Sequence, residues 1–100
     1  MEVIYQAEAR SEGLAAAAWY EMQQDGLSSR FLAQWRETES RMASNPESHR
    51  CFEGELRKCR FSIFPYALVF RIKDKRIQVL AVMHMSRAPG YWEDRLLTEE

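Results

Sequence analysis

Two hydrophobic periods divide this chain. Residues 7–44 carry apolar side chains at helical spacing, whereas residues 55–85 carry β-branched and aromatic side chains in strand-length runs. The stretch 7–24 contains Leu14-Ala15-Ala16-Ala17-Ala18, a run of strong helix formers. Leu14, Ala18 and Met22 repeat at i, i+4 and i+8 and make one face of this predicted helix. Gly13 is its weak point, about 1 kcal/mol worse than alanine, and the small alanines let a second helix approach closely. Asp25-Gly26 ends the helix. A second helix is predicted over 27–44, where Leu27, Phe31, Trp35, Thr38 and Met42 form a stripe. Asn45-Pro46 stops it, since proline cannot continue a helix. The short link between the two makes an antiparallel hairpin.

Strands are predicted on both sides of the hairpin. Residues 2–6, with Val3, Ile4 and Tyr5, read as a first strand at or near a sheet edge. Residues 47–54 are polar and irregular, and a strand with basic side chains follows over 55–63. Phe64-Pro65 marks a kink or edge position. Two strong strands, 66–72 and 77–85, are joined by Lys73-Asp74-Lys75-Arg76. The run Ile77 to Met83 is almost wholly apolar, which predicts a central strand buried on both faces. Arg87-Ala88-Pro89-Gly90 breaks the pattern, and 91–97 is predicted as a short C-terminal helix with Trp92 and Leu96 on one side. Thr98-Glu99-Glu100 is expected to fray. The predicted fold is α+β: one domain over 1–100, an N-terminal helical hairpin packed on a small antiparallel β-sheet.

Composition agrees with a globular domain: 46% hydrophobic and 29% charged residues exclude wholesale disorder. No apolar run approaches the roughly 18–20 residues of a membrane helix, and Met1 to Gln6 lacks the basic-then-apolar order of a secretory signal. A cytoplasmic location is therefore expected, with Cys51 and Cys59 as free thiols. His49, Cys51 and Cys59 offer ligand types without the paired spacing of a zinc site, so no metal is expected. Four glycines, with no phosphate-binding loop, HExxH or nucleophile elbow, lead to no expected cofactor.

Charge narrows the function. The net charge is −1, without the basic excess usual in nucleic-acid binders. The distribution is uneven, because 50–76 holds eight cations (Arg50, Arg57, Lys58, Arg60, Arg71, Lys73, Lys75, Arg76) against Glu53, Glu55 and Asp74.

The order of elements coincides with specific residues: Trp19-Tyr20-Glu21, Gly26-Leu27, Arg30-Phe31-Leu32 and Asn45-Pro46-Glu47 in the helical half. The sheet half adds Arg57, Phe64-Pro65-Tyr66, Phe70-Arg71 and Ile77 to His84, and Arg87, Pro89 and Tyr91-Trp92 close the set. Over nearly its whole length the chain resembles the ParE/RelE toxin superfamily, on the ParE side. The resemblance implies the toxin of a type II toxin–antitoxin module, with two helices on a small sheet. It also implies a cognate antitoxin whose tail wraps the toxin and covers its active surface.

Two activities follow from the resemblance. RelE-like members cut messenger RNA on the ribosome, which needs a base, an acid and positive charge for the phosphorane. Arg60, Arg71, His84, Arg87 and Tyr91 are the candidate catalytic set for that chemistry. ParE-like members lack the RelE catalytic set, and their best-known target is DNA gyrase, inhibited through protein contact. The near-neutral charge favours this second activity. A relative with no toxicity, acting only as a binding partner, is the third reading. Each candidate also has a structural alternative. His84 can be a hydrogen-bonded residue at a strand end, and Arg87 has Glu93 and Asp94 as possible ion-pair partners. Arg71 can bond C-terminal carbonyls or a carboxylate, and Tyr91-Trp92 can anchor the tail. Trp19, Tyr20, Phe31, Trp35 and Trp92 are the candidate partner-binding residues wherever they are exposed, since aromatics anchor interfaces.

Overall fold

A computed structural model describes residues 1–87 and 90–97. Strand β1 (Glu2–Tyr5) leads into helices α1 (Ala7–Gln23) and α2 (Leu27–Ser44). A single turn of 3-10 helix, Pro46–Ser48, leads to β2 (Cys51–Glu53), β3 (Leu56–Arg60), β4 (Tyr66–Lys73) and β5 (Arg76–His84). A 3-10 segment, Glu93–Leu97, stands where a short C-terminal helix is predicted. The expected fraying of Thr98 to Glu100, and Ala88-Pro89 of the break, lie outside the described residues.

The five strands form one sheet in the order β1-β5-β4-β3-β2. Four run antiparallel to their neighbours, and β1 is added in parallel, from Glu2 opposite Arg76 to Tyr5 opposite Val79. The whole helical hairpin separates β1 from β5 in sequence, which gives the chain length a parallel pairing needs. β2 falls inside the stretch read as irregular: its three residues are all exposed, so no burial pattern marks it.

Strand β5 is flanked on both sides, and its residues Ile77 to Met83 are buried. Alternation, interrupted by a bulge at Leu80 where the register with β4 shifts, sends their side chains to two separate cores. Ile77, Val79 and Val82 join Leu68 and Phe70 under the helices, with Phe31, Trp35 and Met42 of α2. Leu80, Ala81 and Met83 join Leu56 and Val69 on the opposite face, where Trp92 covers them. Fully burying one such large side chain contributes about 1.5–3 kcal/mol.

The two helices meet the sheet differently from one another. The predicted stripe of α2 is the buried one: Phe31, Trp35, Thr38 and Met42 all face inward. In α1 the inward face is Ala9, Gly13, Ala16 and Ala17. Leu14 and Met22, at 54% and 82% exposure, lie on the outside with Ala18. The larger side chains are outside because α1 sits too close to α2 and β5 for them. Glu21 fastens the connection: its carboxylate accepts from the Gly26 and Ser28 amides at 3.0–3.1 Å, capping the start of α2 from the end of α1.

Candidate functional site

At the C-terminal end of β5 a groove of about 280 Å³ opens between α1 and the chain's last segment. His84 closes the strand, and the Arg87 amide turns back to the His84 carbonyl at 3.0 Å. The His84 Nδ1 accepts from the Ser86 amide at 3.1 Å, which puts the proton of the neutral ring on Nε2. Gly90, at φ +91°, makes the left-handed bend that presents Tyr91 to the groove. The Arg87 guanidinium then lies over the Tyr91 ring, 3.8 Å from its centre, and Arg95 lies 5.1 Å from the same ring. Arg87 thus stacks on an aromatic ring, where the sequence suggested an ion pair with Glu93 or Asp94.

Glu12 of α1 forms the floor beside these groups. Its carboxylate takes two hydrogen bonds from Arg95, at 3.0 and 2.9 Å, and one from the Val82 amide at 3.0 Å. Burial, with the Glu12 charge beside it, pushes the Tyr91 phenol far above its ordinary value. Tyr91 stays protonated and cannot act as a base near neutral pH.

The candidate catalytic set divides. His84, Arg87 and Tyr91 share the groove. Arg71 is on the opposite face of the sheet, 4% exposed, and each of its three guanidinium nitrogens makes a hydrogen bond. It donates to Gln78 Oε1 at 2.6 Å, to Glu55 Oε2 at 3.3 Å and to the Leu96 carbonyl at 3.2 Å. This is the carbonyl-and-carboxylate role that its sequence position suggested. Arg60 is exposed at the far end of β3, opposite Ala67. Ala67 and Arg71 are four positions apart on β4, about 13 Å along a strand. Arg60 and Arg71 therefore meet neither each other nor the groove, because strand alternation sends them away from His84.

The aromatic candidates divide too. Trp19 is 55% exposed on the rim of the groove. Tyr20 is half-buried and stacks on Phe31, 5.4 Å between centres. Phe31, Trp35 and Trp92 are buried and offer a partner no surface in this conformation. Phe31 and Trp35 lie on the inward stripe of α2, and Trp92 fills the second core. Glu12 and Arg95 are site residues that sequence reasoning missed. They are 83 positions apart, and no local spacing links them.

Among the described residues no three His, Cys, Asp or Glu side chains gather as a metal site would require. Cys51 is exposed and Cys59 buried, both as free thiols. No described helix is long and apolar enough to cross a membrane.

Comparison with known proteins gives one family. Residues 3–89 match the model of the ParE toxin of the type II toxin–antitoxin system parDE. No curated protein matches the chain. Among solved structures, a chain of the chromosomal ParDE TA system from P. aeruginosa superposes with a TM-score of 0.70 at 17% identity. The match covers 84% of this chain and 95% of that one. With the family model spanning most of its length, the chain belongs to the ParE toxin family of type II toxin–antitoxin systems.

Proposed function

We propose that this protein is the toxin of a two-component module, neutralised by a cognate antitoxin, and that it inhibits a cellular target such as DNA gyrase through protein contact. The observation that carries this reading is the divided arginine set. Phosphoryl chemistry on RNA needs several cations converging on one phosphate. Here Arg71 is tied into a structural network and Arg60 is remote from the groove. Net charge of −1 also fits a protein target better than a ribosomal one. Inhibition by contact needs only an accessible surface, and the groove rim with Trp19 and Arg87 supplies one.

The test sets two assays side by side. Purified protein is expected to block supercoiling by gyrase and to leave mRNA uncut in a translation extract. Codon-phased cleavage in the extract would overturn the choice in favour of a ribosome-dependent endoribonuclease. The grouping of His84, Arg87 and Tyr91 is the observation that keeps this second reading on the table. For the partner, the small protein encoded beside this gene is expected to co-purify with the chain and to relieve growth arrest.

A further inference from the structure

Helix α1 carries an apolar face that no described residue covers. Leu14, Ala18 and Met22 repeat along it every four positions. Ala18 is nine residues from buried Ala9, which places it half a revolution away from the core. All three are exposed, Leu14 at 54% and Met22 at 82%. Ala15 and Trp19, exposed as well, widen the face toward the groove. Single exposed apolar side chains are ordinary, but contiguous ones over two helical turns make a patch.

The two ends of this face carry opposite charges on the same side. Arg10 is at the N-terminal end, on the side of α2, where it lines a cleft with Leu32 and Arg36. Asp25 is in the link to α2, so it stands at the other end and on that same side. Arg10 rests over the Tyr5 ring, 4.8 Å from its centre, and Asp25 is exposed. Neither has an opposite charge within ion-pair distance among the described residues. Ala18 stands midway, eight residues after Arg10 and seven before Asp25.

That arrangement is self-complementary. A two-fold axis beside Ala18 turns a second copy antiparallel and keeps the α2 side of one helix on the α2 side of the other. Ala18 then meets its counterpart, Leu14 comes level with the partner's Met22, and Arg10 reaches the partner's Asp25 at both ends. The small side chain at the axis admits the 8–10 Å approach of packed helices. A parallel pair would instead set like charges side by side at each end, which is unfavourable.

We propose that the outer face of α1 is the contact of a homodimer, packed antiparallel about Ala18 and held in register by Arg10 and the partner's Asp25. The outer face of α2, with Arg36, Glu37 and Ser40 exposed, is polar and confines the contact to α1. A contact about 24 Å long and one helix wide falls below the roughly 1,200–2,000 Å² of a stable interface, so the dimer is weak, with a Kd of about 10–100 μM. Trp19 lies near the axis in this packing, and the two grooves open beside one another on the side away from α2.

The experiment follows the full chain by sedimentation over about 1–500 μM, with circular dichroism to confirm that each variant is folded. Wild type is expected to pass from monomer to dimer across that range. Ala18→Arg, a good helix former placed at the axis, and Met22→Lys are each expected to leave only monomer. Arg10→Glu or Asp25→Arg alone sets like charges opposite each other twice and is expected to weaken association at least about tenfold. The double variant Arg10→Glu/Asp25→Arg restores both pairs with reversed sign and is expected to return to within about threefold of wild type. That rescue is specific to the antiparallel register, and its failure would overturn the proposal. So would a wild-type chain that stays monomeric throughout, or a dimer indifferent to Ala18→Arg and Met22→Lys, which would use another surface. A monomeric wild type whose binding to the small protein encoded beside its gene is weakened by Met22→Lys would assign the face to that partner and overturn self-association.

Discussion

Gly13 of α1 lies against the indole of Trp35 so closely that a Cβ on Gly13 would overlap the ring atoms Cη2 and Cζ3. The glycine that weakens α1 as an isolated helix is what lets the two helices close. Trp35 is held in turn, its Nε1 donating to the Tyr5 hydroxyl at 2.7 Å while Tyr5 donates to Glu39 at 2.7 Å. The ring cannot swing away without breaking that chain.

Gly13→Ala is therefore expected to destabilise the protein by about 1–3 kcal/mol, the usual cost of overpacking. Helix propensity alone predicts a gain of about 1 kcal/mol, so the two effects differ in sign. Urea unfolding of the variant decides between them. A second cycle with Trp35→Leu should show strong coupling between the positions.

The β4–β5 turn holds both Asp74 and Lys75 at positive φ, 54° and 61°. Two such residues form the mirror-image turn that suits the strand twist, and glycine or asparagine fills it with the least strain. Lys75→Gly is expected to stabilise the fold by about 0.5–1 kcal/mol, the strain relieved less the added freedom of the unfolded chain. Thermal unfolding measures it.

Glu21 carries an acid-dependent share of the stability. The Ser28 and Gly26 amides hold its carboxyl below the ordinary value. Its contribution is therefore complete above the unfolded-state pKa, near 4.5, and is lost as pH falls through the lower folded value. Glu21→Gln is expected to lower the melting temperature at pH 7 and to converge with wild type in strong acid.

His49 acts in a higher window. Burial, with Arg41 nearby, lowers its pKa from the ordinary 6.5. The unfolded chain then binds the proton more readily, so acidification from 6.5 to the lower folded value favours unfolding. Replacing His49 with Gln is expected to flatten the stability profile over that window, as read by denaturation at a series of pH values.

Arg71 distinguishes structure from catalysis. Arg71→Ala leaves Gln78 Oε1 and the Leu96 carbonyl without their donor, and is expected to cost about 2–4 kcal/mol. Arg71→Lys should recover little of this, since an ammonium cannot reproduce the guanidinium fork. Chemical denaturation checks both. A variant that lost activity at full stability would contradict the structural role.

The readable parts of the fold were those where local pattern and tertiary environment agree. The α2 stripe is legible because Phe31, Trp35 and Met42 are large, evenly spaced and all buried. β4 and β5 are legible because burial on both faces demands apolar runs with a polar turn between them. For α1 the pattern marked one face, Leu14, Ala18 and Met22, without saying which face is buried: that face is the outer one, because close packing against Trp35 selects glycine and alanine for the inner one.

The candidate site was legible only in pieces. His84, Arg87 and Tyr91 are near in sequence and stay near in space, while Arg60 and Arg71 looked equally suitable until strand alternation and register separated them. Glu12 and Arg95 had no sequence signal, because their ion pair exists only once α1 and the tail meet at the open edge of β5. Residue order and hydrophobic period were enough for the helical hairpin, the β4–β5 hairpin and the family likeness, since these depend on contacts between near neighbours. Which face each arginine occupies, which way α1 turns and where β5 stays open depend on packing between distant segments, which no local pattern encodes.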